Sequence, residues 1–229
     1  MHVAALVLAA GRGERLGAGV PKALLPLAGR PLLAHAVEAL AACAALDAII
    51  PVVPAAALER CAALVRGLGA DPRIREPVAG GAERQDSMRA GLAALPAGVE
   101  LVAVHDAARP LVRPADVERV VAAARRSGAA LLAVPVRDTL KRVGDGAVLE
   151  TLARSACWAA QTPQVFRAEL LREALAKAEA EGFQGTDDAQ LVERLGVPVH
   201  VVEGDPRNLK ITWPEDVELA AALLERGAV

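Results

Sequence analysis

Tyrosine is absent from these 229 residues, and phenylalanine and tryptophan occur twice each. Alanine, leucine and valine must therefore fill most of the core, which is large because apolar residues make up 54% of the chain. Cysteine is also scarce: Cys43, Cys61 and Cys157 form no CxxC pair. That spacing excludes a disulfide framework and a cysteine zinc site, and it fits a reducing compartment. The four histidines, His2, His35, His105 and His200, form no evident catalytic dyad. Net charge is only −2, so neither a basic nucleic-acid binder nor an acidic disordered tail is expected. Any anion site must come from local placement of charge. No run of about 18 apolar residues is free of charge and proline, and the first residues lack the basic stretch of a secretory signal. The expectation is a soluble cytoplasmic protein with no membrane or nucleic-acid partner.

What the chain does have is alternation. Continuous apolar runs of strand length lie at 3–8, 48–53, 101–105, 130–136 and 199–204. Helical spacing fills 31–43, 55–69, 83–95, 114–128 and 214–227, with frequent glycine stops. In the last of these, Val217, Ala220, Ala221 and Leu224 define one apolar face behind Pro214. Strand and helix alternating in this way predict a single α/β domain over 1–229, with a mostly parallel sheet covered on both sides. One segment, 137–164, breaks the rhythm. Two short strand-like pieces flank Gly144-Asp145-Gly146, which predicts a β-hairpin arm projecting from the sheet. A lone hairpin is marginal in water, so the arm is expected to pack on something, such as a second subunit.

The first predicted strand runs into "GRGERLGAGVPK", residues 11–22, with four glycines, Arg12, Arg15 and Lys22. A loop in this position of an α/β sheet is a prime ligand site. Two familiar phosphate motifs fail. The dinucleotide fingerprint needs glycine three positions after Gly13, where Leu16 stands, and a P-loop needs Gly-Lys-Ser/Thr, where Pro21-Lys22-Ala23 stands. The remaining reading is a cradle for a triphosphate, built of backbone amides and side-chain cations. Only four of the 26 basic residues are lysines: Lys22, Lys141, Lys177 and Lys210. In a chain that prefers arginine, Lys22 and Lys210 draw attention as compact point charges.

The opening loop resembles the signature loop of nucleotidyltransferases. Together with "GGAERQDSMRAGL", "VHDAARPLVRP", "VPVRDTLKRV", "TPQVFR", "TDDAQLVERLG" and "VEGDPRNLKITWPEDVELA", in collinear order over nearly the whole chain, it is similar to the 2-C-methyl-D-erythritol 4-phosphate cytidylyltransferase family of non-mevalonate isoprenoid synthesis. The resemblance implies a Rossmann-like three-layer α/β/α nucleotidyltransferase fold and CTP and methylerythritol phosphate as substrates. It also implies Mg²⁺ or another divalent cation as cofactor, and a homodimer formed through the arm. By the same resemblance Arg15 and Lys22 stabilise the transition state, and Ala9, Ala10, Gly11 and Gly13 hold the nucleotide through backbone. Gly81 and Ser87 contact base and ribose, and Asp106 lies near the metal and both substrates. Thr139 and Arg154 reach the methylerythritol phosphate from the arm, and Lys210 meets its phosphate. Ala82 stands where relatives often carry a polar side chain, which leaves only backbone contact there.

Ordinary roles compete at several positions: a turn cap for Asp106, a solvent-facing helix position for Ser87, loop closure for Lys210, a loop brace for Arg109. Three other functions stay open. The first is a cytidylyltransferase using another phosphate such as ribitol 5-phosphate, the second a dinucleotide oxidoreductase, and the third a nucleotide sensor without turnover.

Overall fold

A computed structural model describes residues 2–11 and 20–227. Among the described residues the chain forms, in order, β1 (His2–Leu8), β2 (Pro26–Leu27), β3 (Arg30–Pro31), α1 (Leu32–Ala41), β4 (Ala48–Val53), α2 (Leu58–Arg66), β5 (Val78–Ala79) and α3 (Arg84–Ala93). There follow β6 (Val99–Asp106), α4 (Pro114–Ser127), β7 (Ala129–Pro135), β8 (Lys141–Gly144), β9 (Ala147–Thr151), β10 (Trp158–Arg167), α5 (Ala168–Ala180), α6 (Asp188–Glu193), β11 (His200–Glu203) and α7 (Pro214–Glu225). The central sheet has the order β11-β7-β10-β6-β1-β4-β5. Its strands are parallel except β10, which runs antiparallel to both β6 and β7. The α/β class with a mostly parallel sheet, expected from the alternating pattern, is what the chain adopts.

Period-two alternation sends β1 side chains into two separate cores. Val3, Ala5 and Val7 pack with α1, α2 and α4 on one face, whereas Leu6 and Leu8 pack with α3, α5 and α6 on the other. Both faces are buried, which is why the strand reads as an unbroken apolar run. Helix α3 lies close on the sheet at Gly91, where an added Cβ would sit 2.9 Å from Leu6 Cδ1. Helix α4 carries Pro114 in its first turn and ends at Gly128, whose φ of 84° turns the chain directly into β7. A third, smaller core holds α7: Ala220 is buried with Leu27, Leu32, Leu111 and Ile211, and Val217, Ala221 and Leu224 pack against them.

The hairpin expected within 137–164 occupies Lys141–Thr151, with Asp145 and Gly146 both at positive φ in the two-residue turn. The segment is shorter as an arm than its predicted limits. From Trp158 onward it enters the central sheet as β10, pairing with β7 and then β6. Pro163 between polar residues hides this strand from an apolar-run reading, and the strand accommodates it with a register break between Ala160 and Gln164.

Candidate active site

Strand order reverses beside β1. The chain goes from β1 out to β4 and β5, then returns to β6 on the other side. Ligand crevices in open α/β sheets form at such switch points, beyond the strand carboxyl ends. A cleft of about 670 Å³ lies there, lined by Leu8 to Gly11, Lys22, Ala23, Gly81 to Arg84, Ser87, Asp106 to Ala108, Lys210 and Thr212.

Backbone hydrogen bonds extend the sheet into the cleft walls. Ala9 N donates to Val52 O at 2.8 Å, Gly80 N to Val53 O at 2.8 Å, and Ala107 N to Leu8 O at 3.0 Å. The strands thus carry Ala9, Ala10 and Gly11 to one wall and Gly80-Gly81 to another. Glycine is required at both positions of that pair by close packing. A Cβ on Gly80 would lie 2.6 Å from Ser87 Oγ, and one on Gly81 2.2 Å from Asp86 Cβ. Glu83 and Asp86 form a capping box at the start of α3, which fixes that contact. Ser87 is buried, 3% exposed, and its Oγ donates to Glu83 O at 3.2 Å. It faces the cleft and the helix start, not solvent.

Asp106 ends β6 and is the electrostatic centre. Lys210 Nζ donates to its Oδ2 at 2.7 Å and Arg84 Nη2 to its Oδ1 at 3.3 Å. Burial opposes ionisation, but Arg84, Lys210 and Arg109 outweigh it and hold the carboxyl well below the usual carboxylate range. Arg84 in turn grips the fully buried Asp188, at 2.5 Å to Oδ1 and 2.7 Å to Oδ2. Burial disfavours the Arg84 charge, yet the Asp188 and Asp106 carboxylates raise its pKa above the ordinary value.

Beneath Asp106 sits a buried relay. Asp106 N donates to Thr162 Oγ1 at 3.1 Å, and Thr162 Oγ1 lies 3.0 Å from His105 Nδ1. His105 Nε2 lies 3.1 Å from Arg109 O. With the threonine accepting from the backbone, its own proton goes to Nδ1, leaving Nε2–H to bond the Arg109 carbonyl. Burial pulls His105 down to about 4, so the ring is neutral at pH 7 and serves to hold the turn. Arg109 braces the same turn, donating to Asn208 O at 2.7 Å and Ala160 O at 3.1 Å.

Of the residues singled out from sequence, Ala9, Ala10, Gly11, Lys22, Gly81, Ser87, Asp106 and Lys210 meet in this one cleft. Arg15 and Gly13 lie outside the described residues. Thr139 and Arg154 do not line the cleft of their own chain. Both are exposed on the arm, where Arg154 Nη1 donates to Arg137 O at 2.6 Å. Sequence reading missed Arg84, Asp188 and Thr212. All three stood inside quoted motifs, but 104 positions separate Arg84 from Asp188, and nothing local signals that they pair.

The donor set bears on a divalent ion. Among the described residues of the cleft wall Asp106 is the one buried carboxylate, and no group of three or more His, Cys, Asp or Glu able to hold a metal occurs among the described residues. Mg²⁺ is commonly held by one or two protein carboxylates with its other ligands supplied from outside the protein, and a single carboxylate with lone pairs to spare on each oxygen fits an ion bound in that way.

The family model for 2-C-methyl-D-erythritol 4-phosphate cytidylyltransferase matches residues 3–226. The chain belongs to that family. A relative from Symbiobacterium thermophilum with that name is 49% identical, over 99% of this chain and 94% of its own length. The crystal structure of the cytidylyltransferase from Thermus thermophilus superposes with a TM-score of 0.79 at 40% identity, covering 98% of this chain and all of that one (100%). That of 4-diphosphocytidyl-2C-methyl-D-erythritol synthase from Anaerococcus prevotii gives 0.88 at 31% identity, covering 98% and 96%. With these neighbours the chain shares a Rossmann-like nucleotidyltransferase fold.

Proposed function

We propose that this chain joins CTP to 2-C-methyl-D-erythritol 4-phosphate, giving 4-diphosphocytidyl-2-C-methyl-D-erythritol and pyrophosphate. A phosphate oxygen of the acceptor forms the new bond to the α-phosphorus of CTP, in line with the bond that breaks. Pyrophosphate leaves with the bridging oxygen and its electron pair. The observation that carries the reading is the convergence of Lys22, Lys210, Arg84 and Asp106 on the switch-point cleft of a chain matched end to end by this family. Family membership favours this acceptor over ribitol 5-phosphate.

The residue types suit the chemistry. A phosphate monoester, with a second pKa of about 6, is already mostly dianionic at neutral pH, so no base is needed to make the nucleophile. Catalysis is then positioning and charge stabilisation. In this reading Lys22 and Arg15 meet the charge that develops on the phosphates. Ala9, Ala10, Gly11 and Gly13 bind the nucleotide through backbone, Gly81 and Ser87 flank base and ribose, and Lys210 meets the acceptor phosphate. Asp106 would take the divalent ion carried on the triphosphate, preferably Mg²⁺, which when bound supplies further positive charge. Thr139 and Arg154 would enter the cleft from the arm of a second copy. Support for that pairing is the apolar exposure of the hairpin, where Val143, Val148 and Leu149 are 57%, 60% and 63% exposed. A projecting arm with such a surface is stable when covered.

The test is pyrophosphate release from CTP with a panel of acceptors: methylerythritol phosphate, ribitol 5-phosphate and a sugar 1-phosphate. Release with the first alone supports the reading. CTP binding with no release for any acceptor overturns it in favour of a sensor.

A further inference from the structure

Asp188 is fully buried and is not part of the cleft lining, yet both its oxygens meet a guanidinium that is. The fork between Arg84 and Asp188 fixes the plane of the guanidinium as a single-point contact would not. The residues on either side of Asp188 are held firmly. Ala189 N donates to Gln164 Oε1 at 2.9 Å, Gln164 Nε2 to Asp187 Oδ2 at 2.8 Å, and Gln190 N to Asp187 Oδ1 at 2.9 Å. Gln164 belongs to β10 and pairs with Val104 of β6, two residues before Asp106. Asp106 is therefore reached by two routes, along β6 itself and through β10, α6, Asp188 and Arg84.

We infer that Asp188 is a positioning residue for the cleft: by occupying the Arg84 fork it limits Arg84 to one oxygen of Asp106 and leaves the other to Lys210. Burial pushes the Asp188 carboxyl up and the Arg84 fork opposes it; with that fork closed at 2.5 Å the pair is ionic, and the four groups, two cations and two carboxylates, balance in charge. Buried ion pairs add little net stability, so orientation is what this pair supplies. Without the Asp188 charge, the freed fork of Arg84 has Asp106 as its nearest anion, and a bidentate grip there displaces Lys210. This rests on the functional reading above for its consequence in turnover, but not for its geometry.

The experiment uses the four combinations of Asp188→Asn and Arg84→Gln in the full chain, with melting temperatures measured alongside. With only four lysines, the ¹⁵N signal of the Lys210 ammonium is assignable by its loss in Lys210→Ala. Asp188→Asn is expected to shift that signal, and to lower kcat at least tenfold while KM for CTP changes less than threefold. In the Arg84→Gln background the same substitution is expected to leave the signal in place and cost less than twofold. An unmoved Lys210 signal, or an equal effect in both backgrounds, overturns the inference. A wild-type protein that releases no pyrophosphate defeats the functional reading alone, and the Lys210 signal then decides the positioning role.

Discussion

Two clusters in this molecule build carboxylates and cations together, with different results. At the end of β6, Asp106 shares its oxygens between Arg84 and Lys210 in the wall of the cleft. Asp116 at the start of α4 and Asp205 in the loop after β11 have, among the described residues, arginines as their ion-pair partners. Arg113 bridges the two at 3.0 and 2.8 Å, Arg119 reaches Asp116 at 2.6 Å, and Arg207 reaches Asp205 at 2.6 Å. The second cluster seals the first turn of a helix, where negative charge is favoured, to the loop after β11. Its forks close on carboxylates and, through Arg119 Nη2, on the Glu203 carbonyl. The first cluster places a lysine, a point charge on a flexible stem, where an anion can share it. Like chemistry serves as mortar in one place and, in the function proposed, as a receptor in the other, and which one is decided by where the strand ends leave a cleft.

That contrast can be broken experimentally. The largest effect is expected for Lys22→Ala, which should lower turnover by about a hundredfold, or about 3 kcal/mol, on the scale of one preorganised donor. Its melting temperature should stay near that of wild type, and retained turnover would remove Lys22 from the receptor side of the comparison.

Next comes pH. His105 has a folded pKa of about 4, below the unfolded value, so the unfolded chain binds the proton first as pH falls. The stability it contributes is present above about pH 6.5 and lost towards pH 4, by at most about 3 kcal/mol. Melting curves across that window should show the decline, and His105→Asn should flatten it.

Asp116→Ala belongs to the mortar side. Its carboxylate is buried, and losing it should cost about 2 kcal/mol in denaturant unfolding, with kcat per folded molecule unchanged. A fall in kcat would blur the distinction between the clusters. The smallest effect is expected for Arg154→Ala, about a tenfold rise in KM for methylerythritol phosphate with CTP affinity retained (about 1.4 kcal/mol). Equal loss of both would separate the arm from the acceptor.

The elements legible in the sequence are those whose period is long enough to repeat. The apolar runs of β1, β4 and β6 and the amphipathic spacing of α4 and α7 announced themselves, as did the Asp145-Gly146 turn. β10 did not, because Pro163 and the glutamines beside it belong to a strand whose polar side chains tie it to α6 and to the loop after β11. Helix α6 spans only six residues, and its footing is supplied by Asp187 and Gln164. In the site, Asp106 was legible as an acid directly after a buried strand, and Lys22 as a cation behind a proline. Arg84 and Asp188 were not, because a pairing across 104 positions is a property of the fold.

The most direct measurement is a crystal structure of the chain with CTP and Mg²⁺. The expected result is the triphosphate within hydrogen-bond reach of Lys22 Nζ, with cytidine against Gly81 and Ser87. A nucleotide bound outside the cleft between the ends of β1 and β6 would contradict it.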